Sequence, residues 1–396
     1  SLYLGVLGGF MCMWLQPLAM IAGIVMLSAI AYVTLSTGKR PLRAINEHIN
    51  PVLGWGWLLA SMMANLVWSM PQFALATASL RQNLLPDVFG AEAMPEIWGK
   101  VWVGLIILAV SLTASMLYTT GGKGMKAFEI VVKCMVGTTV VCFIGVVVRL
   151  TMAGELPWNE IFAGFVPNLR LLSEPTDQLM PLINQVSAEY RDFWKNIVVS
   201  QQRDVMISAA ATAVGINMTF LFPYSMLRKG WDRDFRGLAI FDLSTGLFFP
   251  FLLATSCVVI ASASQFHAQA GVGLMGERDA VTGQEIVPAA NLVGSYKGLL
   301  RGRLVEEVGA EAMASLGEAE LAARMDSMDD ADRRMAAVLA RRDAFNLSDS
   351  LSPLVGRKFS QYVFGLGVLG MAMGAATMLM LINGLCFCEL LNRPAK

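Results

Sequence analysis

Charge is scarce in this chain of 396 residues, at 15%, and the thirty basic residues cancel the thirty acidic ones. Without a basic surplus there is no electrostatic footprint for nucleic acid, so no nucleic-acid partner is expected. Histidine is scarcer still: His48 and His267 are the only two. No His–Cys metal spacing, nucleophile elbow or phosphate-cradling glycine loop occurs, so neither an enzyme nor a bound cofactor is indicated. Six cysteines are present: Cys12, Cys134, Cys142, Cys257, Cys386 and Cys388. None forms a Cys-x-x-Cys pair and all fall within or at the end of apolar runs. They read as small buried hydrophobes, not as a disulfide framework.

What fills the chain instead is apolar sequence. Hydrophobic residues make up 55%, and mean hydropathy is +0.56. A bilayer is crossed by about 20 apolar residues in a helix. Seven candidate spans follow: Leu4–Tyr32, Trp55–Leu80, Val101–Thr119, Phe128–Val148, Val205–Leu227, Leu238–Ser262 and Phe359–Cys388. The fourth carries Glu129 and Lys133 in its first turns, spaced to pair with each other. The last, uncharged throughout, is long enough to tilt or to extend beyond the membrane. The expected organisation is a transmembrane core over 1–262, a polar helical insert over 263–358, and a further core span within 359–396.

Basic residues alternate between loops. Lys39, Arg40 and Arg43 follow the first span, Lys123 and Lys126 the third, Arg228, Lys229, Arg233 and Arg236 the fifth, and Arg393 and Lys396 the seventh. The positive-inside rule places these loops in the cytoplasm. The first span then runs inward, which predicts at least one further span upstream, and further spans downstream. Two long connections fall outside. Thr151–Asp204 holds an amphipathic helix around Gln178–Val199. Gln265–Arg357 holds helical stretches at Leu304–Ala312, Leu316–Arg324 and Asp329–Arg342. Ser315 and Ser327 read as helix caps. Asp326, Asp329, Asp330 and Asp332 lack the pattern of a calcium loop and read as a solvated helix start. The insert is a candidate cap over the outer vestibule or a contact for another protein.

One span is unlike the rest. Val205–Leu227 has small and polar residues at its centre: Ala211, Thr212, Gly215 and Asn217. A helix weakened at mid-depth is tolerated where it lines a cavity or is buried in protein. In secondary transporters such a break holds the substrate. Small residues also let helices pack closely, so packing competes with a site here. Thr212 is either a hydroxyl ligand or a back-bond to its own helix. Asn65 and Gln72, on the uncharged second span, either line a pathway or tie helices together.

Three segments carry a family resemblance. Lys126-Ala-Phe-Glu-Ile-Val-Val-Lys133 opens a span, Phe162-Ala-Gly-Phe-Val-Pro-Asn168 precedes the interrupted one, and Ala211-Thr-Ala-Val-Gly-Ile-Asn217 lies at its centre. In this order they resemble the Nramp family of divalent-metal transporters. That resemblance implies an all-α polytopic membrane protein of the five-plus-five inverted-repeat (LeuT-like, APC) fold, its seven spans being helices two to eight. It also implies a divalent cation as substrate, membrane lipid as surroundings, and a plasma (bacterial inner) membrane location.

The departures from the family pattern matter as much. The family has Ala-x-x-Met-Pro-His-Asn where this chain has Ala211, Val214, Gly215, Ile216 and Asn217. The implied metal-site residues are Ala211, Thr212, Val214, Gly215 and Asn217, with Asn65, Gln72 and Ile216 lining the pathway. Val214 removes the soft thioether that favours transition metals. Oxygen donors alone suit a hard cation. The pattern resembles the magnesium-transporting, Nramp-related branch and predicts Mg²⁺, with Mn²⁺ second. Ile216 in the His position and an uncharged second span remove the usual titratable relay, which predicts transport without proton coupling. The first-helix Asp-Pro-Gly-Asn motif of the family is absent from these residues. An amino-acid or small-solute transporter of the APC superfamily is the alternative reading, and a non-transporting scaffold built around the insert is the third.

Overall fold

The computed structural model describes residues 2–90, 93–120, 122–215, 217–278 and 283–391. The described chain is helical, with one isolated antiparallel bridge between Arg278 and Glu285. Among the described residues five helices are long and apolar enough to cross a membrane: Leu15–Thr37, Pro51–Leu84, Glu96–Leu117, Arg233–Phe266 and Gly365–Leu390. Local chemistry sets several of their ends. The Val52 N–H donates to the Asn50 side chain (2.8 Å), and Pro51 occupies the first turn, where its missing N–H costs nothing. Gly38, at φ +63°, stops the Leu15–Thr37 helix.

Two predicted spans are not single helices. Leu4–Tyr32 divides into Leu2–Gly8, a 3₁₀ turn Gly9–Cys12, and the helix from Leu15. Gly9 turns the chain at φ +55°, a conformation other residues adopt only at a cost. Val205–Leu227 also divides, into the end of Arg191–Thr212 and the start of Met218–Arg228. The Phe128–Val148 span lies inside a longer helix, Gly122–Met152, in which Val140–Met152 is an apolar stretch among the described residues. The Glu129 side chain lies outside the described residues.

The chain forms two compact units. One comprises Pro17–Val146, Ala211–Ala254 and Val355–Lys396. In it the Arg357–Leu390 helix packs along Pro51–Ala78 and Glu96–Thr120. Leu58, Ala114, Phe220, Leu381 and Ile382 form a buried apolar core. The Ser79 hydroxyl, in a π-helical turn, donates to the Gly365 carbonyl (2.6 Å) and fastens the same pair of helices.

The other unit comprises Ser1–Gln16, Val147–Ala210 and Thr255–Leu354, so the two long connections fold together. The helix Asp330–Leu339 packs on Ala290–Val308 and Met180–Gln185. The Trp194 indole N–H donates to Asp332 Oδ1 (2.6 Å), and Arg303 pairs with Asp332 Oδ2 (3.3 Å). Asp332 is therefore buried, not solvated as its sequence setting suggested; Asp326, Asp329 and Asp330 are exposed. The amphipathic helix around Gln178–Val199 is two helices, Met180–Gln185 and the start of Arg191–Thr212. Ser315 and Ser327 do not cap helix starts. Each ends a helix, its hydroxyl donating back to a carbonyl of the preceding turn, because Gly317 and Asp329 take the N-cap positions.

Candidate functional site

The interruption in the Val205–Leu227 stretch is the site candidate. Helix ends at Thr212 and resumes at Met218. The residues between explain the break. Gly215 lowers the cost of leaving the helix. Asn217 begins the next one: its side-chain oxygen accepts from the Met218 N–H (3.0 Å), and its carbonyl accepts from Phe220 and Leu221 (both 3.1 Å). The amide expected to face an ion is thus engaged with its own backbone, with one lone pair of the side-chain oxygen left.

The neighbours of the break are specific. Val214 is half-buried and packs on Gly23 of the Leu15–Thr37 helix; a methyl added to Gly23 would lie 2.7 Å from Val214 Cβ and closer still to a methyl of Val214. Gly215 is buried under the Trp68 ring, where an added methyl would lie 2.6 Å from the ring. Ala211 is exposed in the last helical turn. The Thr212 side chain and Ile216 lie outside the described residues.

Asn65, Trp68 and Gln72 share one face of the Pro51–Ala78 helix, by their spacing. Of these three, Trp68 lies against Gly215 of the break. Asn65 is fully buried and donates from Nδ2 to Asn383 Oδ1 on the Arg357–Leu390 helix (3.1 Å). This is an interhelical tie, and it leaves the Asn65 side-chain oxygen buried without a partner among the described residues. Gln72 is half-buried. Among the described residues no group of three or more His, Cys, Asp or Glu side chains could hold a metal ion. Among the described residues the oxygens identified at the break are the Asn217 amide and the Gly215 and Asn217 carbonyls, all neutral.

Sequence reasoning missed what holds the half-helix after the break. Trp57 stacks on Phe220 (5.1 Å between centroids), and Phe220 on Tyr224 (5.0 Å). The Trp57 indole N–H donates to the Thr219 hydroxyl (3.3 Å). At the end of the ladder, Arg40 donates to Glu389 Oε1 (2.7 Å), the Tyr224 hydroxyl donates to the same oxygen, and the guanidinium lies 5.2 Å over the Tyr224 ring. The one available signal was Glu389 itself, an acid placed directly after thirty uncharged residues.

The motif Phe162–Asn168 lies in the other unit, beside a cavity of about 500 Å³ lined by Phe10, Met11, Glu160, Asn168, Asp177 and His267. His267 Nδ1 lies 2.9 Å from the Val6 carbonyl and Nε2 3.2 Å from the Thr176 hydroxyl. Burial pulls the imidazole below its usual value of 6.5. The neutral ring with its proton on Nδ1 satisfies both contacts: it donates to the carbonyl and accepts from the hydroxyl.

Residues 2–283 match the family described as natural resistance-associated macrophage protein-like (Nramp). The match covers more than half of the chain, and the chain belongs to this family. It is a transporter family of integral membrane proteins that move divalent metal ions, not a family of enzymes. No curated protein matches the chain.

Proposed function

We propose that this Nramp-family chain moves Mg²⁺, with Mn²⁺ as a second substrate, across a bacterial inner membrane and without proton coupling. The observation that carries the reading is the non-helical stretch between Thr212 and Met218, within a run of uncharged residues. Backbone carbonyls released from a helix there, the Thr212 hydroxyl and the Asn217 amide are hard oxygen donors. Val214, in place of the family's methionine, offers no sulfur. Magnesium sheds water reluctantly, so a partly hydrated ion is the expected cargo. Gln72 and Ile216 are assigned to the pathway in the same reading, and Asn65, a pathway candidate from the sequence, holds the Pro51–Ala78 helix against Arg357–Leu390.

The absence of coupling is supported by the Pro51–Ala78 helix, which carries no charged side chain. No proton is needed to drive uptake: the membrane potential alone favours entry of two charges by about 4.6 kcal/mol per 100 mV. The test is Mg²⁺ and Mn²⁺ uptake into vesicles holding the purified protein, with internal pH followed alongside. Saturable Mg²⁺ entry at constant pH is expected, and Val214→Met should move preference towards Mn²⁺. No flux of either ion through folded protein would defeat the reading and make amino-acid uptake the next assay.

A further inference from the structure

The short helix Trp158–Ala163 has two apolar sides with different fates. Ile161 is buried, at 1% exposed, and Gly164 sits so close to the Phe10 carbonyl that no side chain fits there. The Trp14 N–H donates to the Gly164 carbonyl (2.8 Å), which fixes the segment to the residue just before the Leu15–Thr37 helix. On another side Trp158 and Phe162, one turn apart with ring centroids 5.8 Å from each other, are exposed. Leu169 continues the exposed apolar run at 65%, whereas Val166 borders the cavity. Glu160, on the opposite side of the helix from the two rings by its spacing, lines the cavity together with Val166 and Asp177.

Two span ends fix the depth of this segment. It is bonded at the start of one membrane-length helix, and it follows the apolar helix Val140–Met152 after only five residues. Those residues reach about 20 Å at full stretch. The segment therefore lies where the hydrocarbon region gives way to headgroups, the level at which tryptophan and other amphipathic aromatic rings collect. We propose that the exposed apolar residues Trp158, Phe162 and Leu169 form a lipid-contacting surface, embedded at the headgroup–acyl boundary of the bilayer. A protein partner fits less well. The strip is one helix wide and offers a few hundred Å², below the roughly 1,000 Å² that a stable protein interface buries. The charge disposition agrees: the exposed rings carry the apolar side and the carboxylate faces away, as in helices that lie in an interface.

The test places a photoreactive p-benzoylphenylalanine at Phe162, at Leu169, or at Glu160 as the cavity-side control. The full chain is reconstituted in vesicles of phosphatidylethanolamine and phosphatidylglycerol and irradiated. The change at Phe162 is aromatic for aromatic, so it leaves the fold intact. Phospholipid adducts, seen by mass, are expected at Phe162 and Leu169 and at least tenfold fewer at Glu160. Adducts between two protein chains at Phe162 would overturn the proposal in favour of a second copy. No lipid adducts at Phe162 would overturn it in favour of a solvated face, and equal lipid labelling at all three positions would overturn the assignment of lipid contact to this face.

Discussion

Gly23 gives the sharpest test of the candidate site, because its role follows from geometry alone. A methyl at position 23 would sit 2.7 Å from Val214 Cβ and closer to a Val214 methyl. Ordinary carbon contacts lie at about 3.5–4.0 Å, so Gly23→Ala demands a shift on the order of 1 Å. Valine is branched at Cβ and cannot swing clear, and the helix around Gly23 is continuous from Leu15 to Thr37. The yielding part is then the non-helical stretch from residue 213 to 217. Overpacking of this kind costs about 1–3 kcal/mol. If an ion binds in that stretch, the cost appears as a weakening of apparent affinity of roughly 5- to 150-fold at 1.36 kcal/mol per decade. Adding Val214→Gly to Gly23→Ala removes both crowding carbons and should restore most of the affinity. The assay is concentration-dependent Mg²⁺ uptake for the parent, the single variant and the pair, at matched protein incorporation. An unchanged half-saturation in folded Gly23→Ala would refute the reasoning, as would a loss that Val214→Gly fails to rescue.

Asp332→Ala should destabilise the unit that holds the two long connections by about 3 kcal/mol, the low end for a broken buried pair, because Arg303 keeps Glu307 at 3.0 Å. Faster hydrogen exchange across 290–340, with 51–78 unchanged, is the expected readout. Tyr224→Phe removes a donor from a carboxylate and should cost about 1.5–3 kcal/mol of stability while leaving the stack on Phe220 in place. A double-mutant cycle with Glu389→Gln, followed by denaturation, should show strong non-additivity; simple additivity would mean that the pair does not interact. His267, held neutral with its pKa lowered, makes stability pH-dependent. Below the unfolded value of 6.5 the unfolded chain takes up a proton that the folded chain refuses. Stability is therefore complete above that pH and declines as pH falls from 6.5 towards the folded value. His267→Gln should flatten this slope below pH 6.5 in thermal unfolding curves.

Composition and patterning alone determined that the chain is helical and belongs in a membrane, because apolar runs near 20 residues have few other uses. They also located the interruption at Thr212–Met218, since small and polar residues at the centre of an uncharged run conflict with a lipid-facing helix. Order and spacing of three short segments pointed to the family. Tertiary structure decided the rest, for reasons the local sequence does not carry. Asp332 looked like one more solvated acid, and only the approach of Trp194 and Arg303 from 138 and 29 residues away buried it. Asn65 could equally line a path or tie helices, and Asn383 supplied the tie. Gly23 was one glycine among thirty-six until Val214 was found against it. Arg40 served in sequence only as a mark of orientation, and it closes an ion pair with Glu389, 349 positions on. Periodicity records which side chains want burial; which partner each one meets depends on contacts between segments far apart in the chain, and those exist only once it has folded.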